Sequence, residues 1–179
     1  MDADAYAAYQ RELNLRSAPD ELWDVLDAQR CPTGRTHRRG DPMPEGDYHL
    51  IVHVWILNSR GEFLITQRAP TKGWPLFWET PGGSATAGED SLTAALREAQ
   101  EETGIALLPG NGQRVFSLLR DDNFCDVWLF RQEVSLEEFV PQPGETVDAM
   151  LATAAQIREM IKEGRFLPAS YLKELVALC

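Results

Sequence analysis

The sequence predicts an α/β fold, an α/β/α sandwich on a mixed β-sheet. Strand-like and helix-like segments are interspersed without a regular strand–helix–strand repeat. A long β-branched and aromatic run, "HLIVHVWIL" (49–57), is followed by a turn and a return strand. Residues 91–103 carry apolar side chains at helical spacing between a capping residue and a glycine. The 179 residues suit one domain, expected over 21–179, with residues 1–20 as an N-terminal extension.

In chain order, "YAAYQRELNL" is expected as a short helix within the extension, and "ELWDVLD" (21–27) as a strand. Residues 29–47 are rich in Pro, Gly and Arg and read as an irregular crossing. Within them Arg35, His37, Arg38 and Arg39 form a basic cluster on an acidic background. The strand at 49–57 turns through "NSRG" (58–61) into "EFLITQRA" (62–69), a hairpin. Residues 70–83 read as loop. The helix over 91–103 starts at Asp90 or Ser91 and stops at Gly104, with Leu92, Ala95, Leu96 and Ala99 as its apolar face. "RVFSLLR" (114–120) and "CDVWLFRQEV" (125–134) read as strands, and "PQPGETVDAML" (141–151) as loop. Thr153 and Gln156 suit a capping box for "AAQIREMIKEG", and "PASYLKELVAL" (168–178) is expected as a final amphipathic helix.

The net charge of −11 and a pI near 4.7 disfavour nucleic acid and anionic membranes as partners. No apolar run reaches membrane-span length, and "MDADAYAAYQRELN" does not resemble a secretion signal. Cys31, Cys125 and Cys179 are scattered and odd in number, which fits a reducing cytoplasm rather than a disulfide framework or a zinc site. An anionic substrate would need local positive charge, and bound cations are the obvious source.

Within "REAQEETG", Glu98, Glu101 and Glu102 share one helix flank, where neutral pH sets them against one another. Arg97 stands four residues before Glu101, and Glu89 in the preceding loop can reach the same end of the helix. Converging carboxylates make a hard-oxygen site suited to Mg²⁺ or Mn²⁺, ions that bind phosphates and activate water. The double glycine Gly82–Gly83 lets backbone approach such a site closely.

Residues 83–105 resemble the Nudix box, G-x5-E-x7-R-E-U-x-E-E-x-G-U, with U a bulky apolar residue. Gly83, Glu89, Arg97, Glu98, Glu101, Glu102, Gly104 and Ile105 fall in register, and Ala99 is the one small residue at an apolar position. The flanking pattern extends the resemblance over roughly 21–175. It implies a divalent-cation-dependent hydrolase of a diphosphate linked to another moiety, usually nucleoside-derived. By position, Glu98 and Glu102 would be the main metal ligands, with Glu101 and the Gly82 carbonyl as further ligands. Glu89 would support the site, Arg97 would hold Glu101, and Gly83 and Gly104 would be structural. A family glutamate in a later loop acts as base or extra ligand. Glu145 matches it in place, with Glu137 and Glu138 as rivals, and either Glu98 or Glu145 could be the base. Gln67, Arg68 and Trp74 are candidate substrate contacts: Arg68 for a phosphate, Trp74 for stacking on a base. A metal role for His37, His49 and His53 is disfavoured. Homodimers are common in the family.

The stretch from "LWDVLD" to "GWPLFW" also resembles the N-terminal half of isopentenyl-diphosphate isomerases, which shift a double bond. Their cysteine and the metal histidine after it fall on Gly83 and Ala85, an upstream histidine falls on Pro42, and the later acidic pair falls near Asp121 and Asn123. Only His49 fits the isomerase pattern. The expected activity is therefore metal-dependent hydrolysis of a small-molecule diphosphate. Isomerase and non-catalytic nucleotide sensor stand as alternatives.

Overall fold

The computed structural model describes residues 20–179, so the expected N-terminal helix lies outside the described residues. Nine strands and three α-helices follow: β1 (Leu22–Leu26), β2 (Pro32–Arg38), β3 (His49–Leu57), β4 (Glu62–Arg68), β5 (Trp78–Glu79), β6 (Gly82–Ser84), α1 (Ser91–Thr103), β7 (Gly112–Leu119), β8 (Asn123–Arg131), β9 (Thr146–Thr153), α2 (Ala154–Lys162) and α3 (Leu172–Val176). The main sheet is mixed. β8 runs parallel to β3, and β4, β5, β6, β7 and β9 pair antiparallel with their neighbours.

The β3–β4 hairpin forms as the sequence predicts, but it holds together only near its turn, where Ile56 pairs with Leu64 and Leu57 with Phe63. Beyond that the two strands splay. Residues 78–84 enter the gap, first pairing with β4 (Thr66 with Glu79) and then with β3 (Val52 with Gly83, His53 with Gly82). The Thr80 hydroxyl donates to the Val54 carbonyl at 2.7 Å, and Val54 N–H donates to Pro81 O at 2.8 Å, fixing the crossing. This wedge delivers the glycine pair to the functional face.

Two apolar layers flank the sheet. Alternation along β3 sends Val52, Val54 and Ile56 toward α1 and Trp55 and Leu57 toward α2 and α3. On the α1 side, Ala94, Ala95 and Ala99 are fully buried, so the helix backbone lies close to the strands. The small residue at the first apolar position of the box thus has a packing reason. On the other side Ile157, Met160, Leu172 and Leu175 cover Phe63, Ile65, Val127 and Leu129.

Four expectations need correction. Residues 29–47 contain β2, which pairs with β1 through Trp23–His37 and Asp24–Thr36. Its side chains are almost all exposed, so no apolar alternation betrays it. Residues 70–83 carry the short β5 and β6, whose partners exist only once β3 and β4 splay. The loop at 141–151 ends at Glu145, where Pro141, Pro143 and Gly144 are past, and β9 then occupies the open edge of β4. The final helix spans only Leu172–Val176, because residues 166–169 are held otherwise: Phe166 bridges to Trp78, and Ala169 O accepts from Leu172 N–H in a turn.

Candidate active site

α1 starts at Asp90, whose carboxylate accepts from Thr93 N–H at 2.7 Å. It stops at Gly104, left-handed at φ 75°, whose N–H returns to Gln100 O. Both ends are those the sequence offered. With its alanine face against the sheet, the helix turns Glu98 and Glu102, one turn apart, over β6.

Backbone contacts there are close. Gly82 N–H donates to Glu102 Oε2 at 3.1 Å. A Cβ on Gly83 would lie 2.5 Å from Glu98 Oε1, and a Cβ on Gly82 would lie 2.1 Å from the Val52 carbonyl oxygen. The resulting cleft of about 310 Å³ is lined by Gly82, Gly83, Glu98, Glu101, Glu102 and Glu145, with Lys72, Arg97, Arg39, Glu21, Ser84 and Gln142 around them.

Arg97 does more than hold Glu101. Its guanidinium pairs with both Glu89 oxygens at 2.8 and 2.9 Å, with Glu98 at 2.9 Å and with Glu101 at 3.0 Å, and it donates to Ser84 O at 2.9 Å. Glu89 also accepts from Thr86 N–H at 2.9 Å, which closes the loop before the helix. Burial works against the Glu89 charge, but the Arg97 and Thr86 hydrogen bonds outweigh it and hold its pKa below the ordinary range.

Lys72 is the second cation. Its ammonium lies 2.6 Å from Glu145 Oε2, 3.6 Å from Glu102 Oε1 and 3.9 Å from Glu79 Oε1. Burial opposes its charge, yet Glu102 and Glu79 more than compensate, and its pKa is raised. Burial pushes Glu98 up to about 7 against the pull of Arg97. Burial pushes Glu102, only 2% exposed, up to about 8; Glu79 and Glu98 add to this and Lys72 opposes it.

Glu145 reaches the cleft because its carbonyl accepts from Ala69 N–H at 2.8 Å, just before β9 pairs with β4. The next residue, buried Thr146, donates to Glu102 O at 2.9 Å and ties β9 to α1. The rivals Glu137 and Glu138 sit exposed on a 3₁₀ turn and do not line the cleft. Neither do Gln67, Arg68 and Trp74. Gln67 donates to Leu76 O at 3.0 Å. Arg68 donates to Gly73 O and to Glu79, each at 2.6 Å, and so orients Glu79 toward Lys72. Trp74 is exposed and meets Phe77 edge-on.

Lys72, Glu79 and Arg39 were not assigned to the site from sequence. The available signals were the place of Lys72 four residues after Arg68, and that of Glu79 three residues before Gly82. Among the described residues no three His, Cys, Asp or Glu side chains form a preformed metal cage; the carboxylates turn toward Arg97 and Lys72 instead. Also among the described residues, no helix is long and apolar enough to cross a membrane.

Comparison with known proteins gives the same frame. An uncharacterized Nudix hydrolase, lmo0368, of Listeria monocytogenes is 38% identical over 160 residues, covering 88% of this chain and 95% of its own. An isopentenyl-diphosphate delta-isomerase of Shigella flexneri is 32% identical over 87 residues, 48% of each chain. The crystal structure of DR0079 from Deinococcus radiodurans superposes with a TM-score of 0.70 at 22% identity, over 89% of this chain and 99% of that one. The family model of the NUDIX domain matches residues 47–175, a span that holds the splayed hairpin, the glycine wedge and the carboxylate helix, and the chain belongs to the Nudix hydrolase family.

Proposed function

We propose that this cleft hydrolyses the diphosphate linkage of a nucleoside-diphosphate-linked or related small molecule, with Mg²⁺ or Mn²⁺ as cofactor and residues 21–179 acting as one domain. The observation that carries the reading is the pair of half-buried Glu98 and buried Glu102, one helical turn apart over Gly82–Gly83, in one cleft with Glu145.

The donor set fits a hard divalent cation. All the donors are oxygens, and the two central carboxyls are desolvated and crowded enough to raise their pKa values. Glu98 and Glu102 would hold the ion, with Glu101 and the Gly82 carbonyl as further ligands. When bound, the ion would offset phosphate charge and make water a stronger nucleophile.

The chain's own residues supply the rest. Arg97 fixes Glu89, Glu98 and Glu101 in relation to one another. Glu145 takes the proton from the attacking water, and Lys72 holds its Oε2 in place; Glu98 and Glu102 would serve as ligands instead. Gln67 and Arg68 act indirectly, through Leu76 and Glu79, rather than on the substrate. Trp74 is exposed outside the cleft, where its ring meets Phe77 edge-on. The scattered cysteines favour a cytoplasmic location, and a homodimer follows family habit; sedimentation tests the latter.

The cysteines also disfavour isomerisation. Cys125 is buried in the core, its thiol pushed up to about 11 by burial; Cys31 and Cys179 are exposed elsewhere, and none lines the cleft. A sensor reading has no lost carboxylate to support it. The test is a screen of the purified chain with Mg²⁺ or Mn²⁺ against ADP-ribose, nucleoside triphosphates, dinucleoside polyphosphates, sugar nucleotides and isopentenyl diphosphate. Metal-dependent phosphate or monophosphate release that is lost in Glu98→Gln and Glu102→Gln is expected. Turnover of isopentenyl diphosphate to its isomer, with silence on every nucleotide, would overturn the reading.

A further inference from the structure

The β1–β2 hairpin stands before the span matched by the NUDIX domain model, residues 47–175, yet its open end reaches the carboxylate cleft. Glu21, just before β1, and Arg39, just after β2, both line that cleft. Of the basic stretch that stood out in the sequence, Arg39 alone does so; Arg35 is tied to Asp47 through two hydrogen bonds of 2.6 Å. Arg39 and Ser84 also line a neighbouring cleft of about 400 Å³, shared with Trp23, His49 and Asn123.

The hairpin is fastened along its length. At its tip Arg30 makes a bidentate pair with Asp126, a fully buried carboxylate on β8, at 2.7 and 2.5 Å. Leu26 exchanges backbone hydrogen bonds with Tyr48 at 2.7 and 3.0 Å, and the Trp23 ring stacks on His49 with centroids 4.1 Å apart. Leu22 O accepts from Ala87 N–H, and the Asp24 carboxylate from Gly88 N–H, each at 2.8 Å. These last two bonds tie the hairpin to the loop before α1, so Arg39 is placed in relation to the carboxylate helix.

Among the described residues three cations line the cleft: Arg39, Lys72 and Arg97. Arg97 is committed to Glu89, Glu98, Glu101 and Ser84 O, and Lys72 stands among Glu145, Glu102 and Glu79. Arg39 differs. Its side chain makes one hydrogen bond among the described residues, Nη1 to Glu21 Oε2 at 2.8 Å, and stays 22% exposed. Most of its N–H donors therefore lack a protein acceptor. Glu21 Oε1 accepts from Trp23 Nε1 at 2.6 Å, so the carboxylate that holds Arg39 is itself held. An incoming anion meets a cleft already rich in carboxylates, and Arg39 is the cation there with donors left to offer it. A planar guanidinium suits a phosphate's paired oxygens.

We infer that Arg39 is a substrate-binding residue of this cleft, donating to a non-bridging phosphate oxygen while Glu21 holds its Nη1. The inference rests on the carboxylate cleft being the diphosphate site.

The test is calorimetric titration of the full chain with inorganic diphosphate in Mg²⁺, beside steady-state kinetics on the compound that the parent cleaves best. Arg39→Met should weaken diphosphate binding about tenfold and raise KM by a similar factor, with kcat changed much less, because the contact serves substrate and transition state alike. Arg39→Lys keeps the charge and the pairing with Glu21 but loses the fork, and should fall between; it is the variant to read if melting shows Arg39→Met to be misfolded. Glu21→Gln separates a phosphate contact from a structural ion pair. It removes the anion beside Arg39 and leaves an amide oxygen to accept from it, so diphosphate should bind as well as in the parent, or better. Unchanged affinity in Arg39→Met, or equal losses in Glu21→Gln and Arg39→Met, would overturn the inference, as would a parent that binds no diphosphate. Hydrolysis by the parent with the same KM in Arg39→Met would overturn this inference alone. Binding weakened in Arg39→Met, with no compound hydrolysed by the parent, would support the phosphate contact and count against the proposed reaction.

Discussion

Lys72 Nζ lies 2.6 Å from Glu145 Oε2 and 3.6 Å from Glu102 Oε1, so a lysine from the loop after β4 stands among carboxylates from α1 and from the segment before β9. With Arg97 neutralising Glu89, Glu98 and Glu101, Lys72 is the cation that offsets Glu102 and Glu145 in the metal-free protein. Lys72→Met should therefore lower metal-free stability by up to about 3 kcal/mol at pH 8, because buried carboxylates lose their counter-charge. Saturating Mg²⁺ should recover more stability in the variant than in the parent. Thermal denaturation with and without Mg²⁺ measures both, and equal Mg²⁺ gains in the two proteins would refute the role.

Glu98 and Glu102 should show opposite effects on stability and activity. Replacing either with Gln removes a desolvated charge, so the metal-free protein should melt higher at pH 8. Hydrolysis should fall by at least about 100-fold, as expected when a charge-stabilising group is lost. A drop in melting temperature together with retained turnover would contradict the assignment.

The same carboxyls set a pH dependence. Both keep protons in the folded state, up to about 7 and about 8, where an unfolded carboxyl has already lost its own near 4.5. The folded state binds more protons than the unfolded one across that interval, so metal-free stability should fall as pH rises from about 5 to about 8. Glu98 alone accounts for a loss of about 3 kcal/mol. Denaturant titrations at several pH values should show this slope in the parent and a flatter one in Glu98→Gln.

The two glycines should fail differently. In Gly83→Ala the new methyl meets the far end of the Glu98 side chain, so the fold should survive while Glu98 is displaced and activity drops. In Gly82→Ala it meets the Val52 carbonyl, a backbone atom in the middle of β3, and soluble yield and melting temperature should fall sharply. Circular dichroism beside activity separates the two.

Arg97 should resist conservative replacement. Its planar fork serves Glu89 with two hydrogen bonds while reaching Glu98, Glu101 and Ser84 O, which a single ammonium cannot reproduce. Arg97→Lys should thus lose most of the activity and about 2 kcal/mol or more of stability, close to the loss in Arg97→Ala. Near-complete rescue by Lys would mean that only the charge matters.

Local chemistry explains what was legible in advance. The ends of α1 followed from Asp90 and Gly104, the β3–β4 hairpin from β-branched runs around "NSRG", and the capping box from Thr153 and Gln156, because each is decided by residues within a few positions of one another. β2 and β9 were not legible. One has exposed side chains and the other is recruited by the open edge of β4, so backbone pairing with a distant partner decides both. At the site, fixed spacing on a single helix sets the carboxylates, their helical phase and the glycines they rest on. Tertiary structure brings Lys72 in with Glu79 behind it, selects Glu145 over Glu137 and Glu138, keeps Gln67, Arg68 and Trp74 outside the cleft, and lets Trp23, His49 and Asn123 line a second cleft beside it. Those outcomes depend on how a splayed sheet brings residues far apart in sequence together, and no local spacing encodes that.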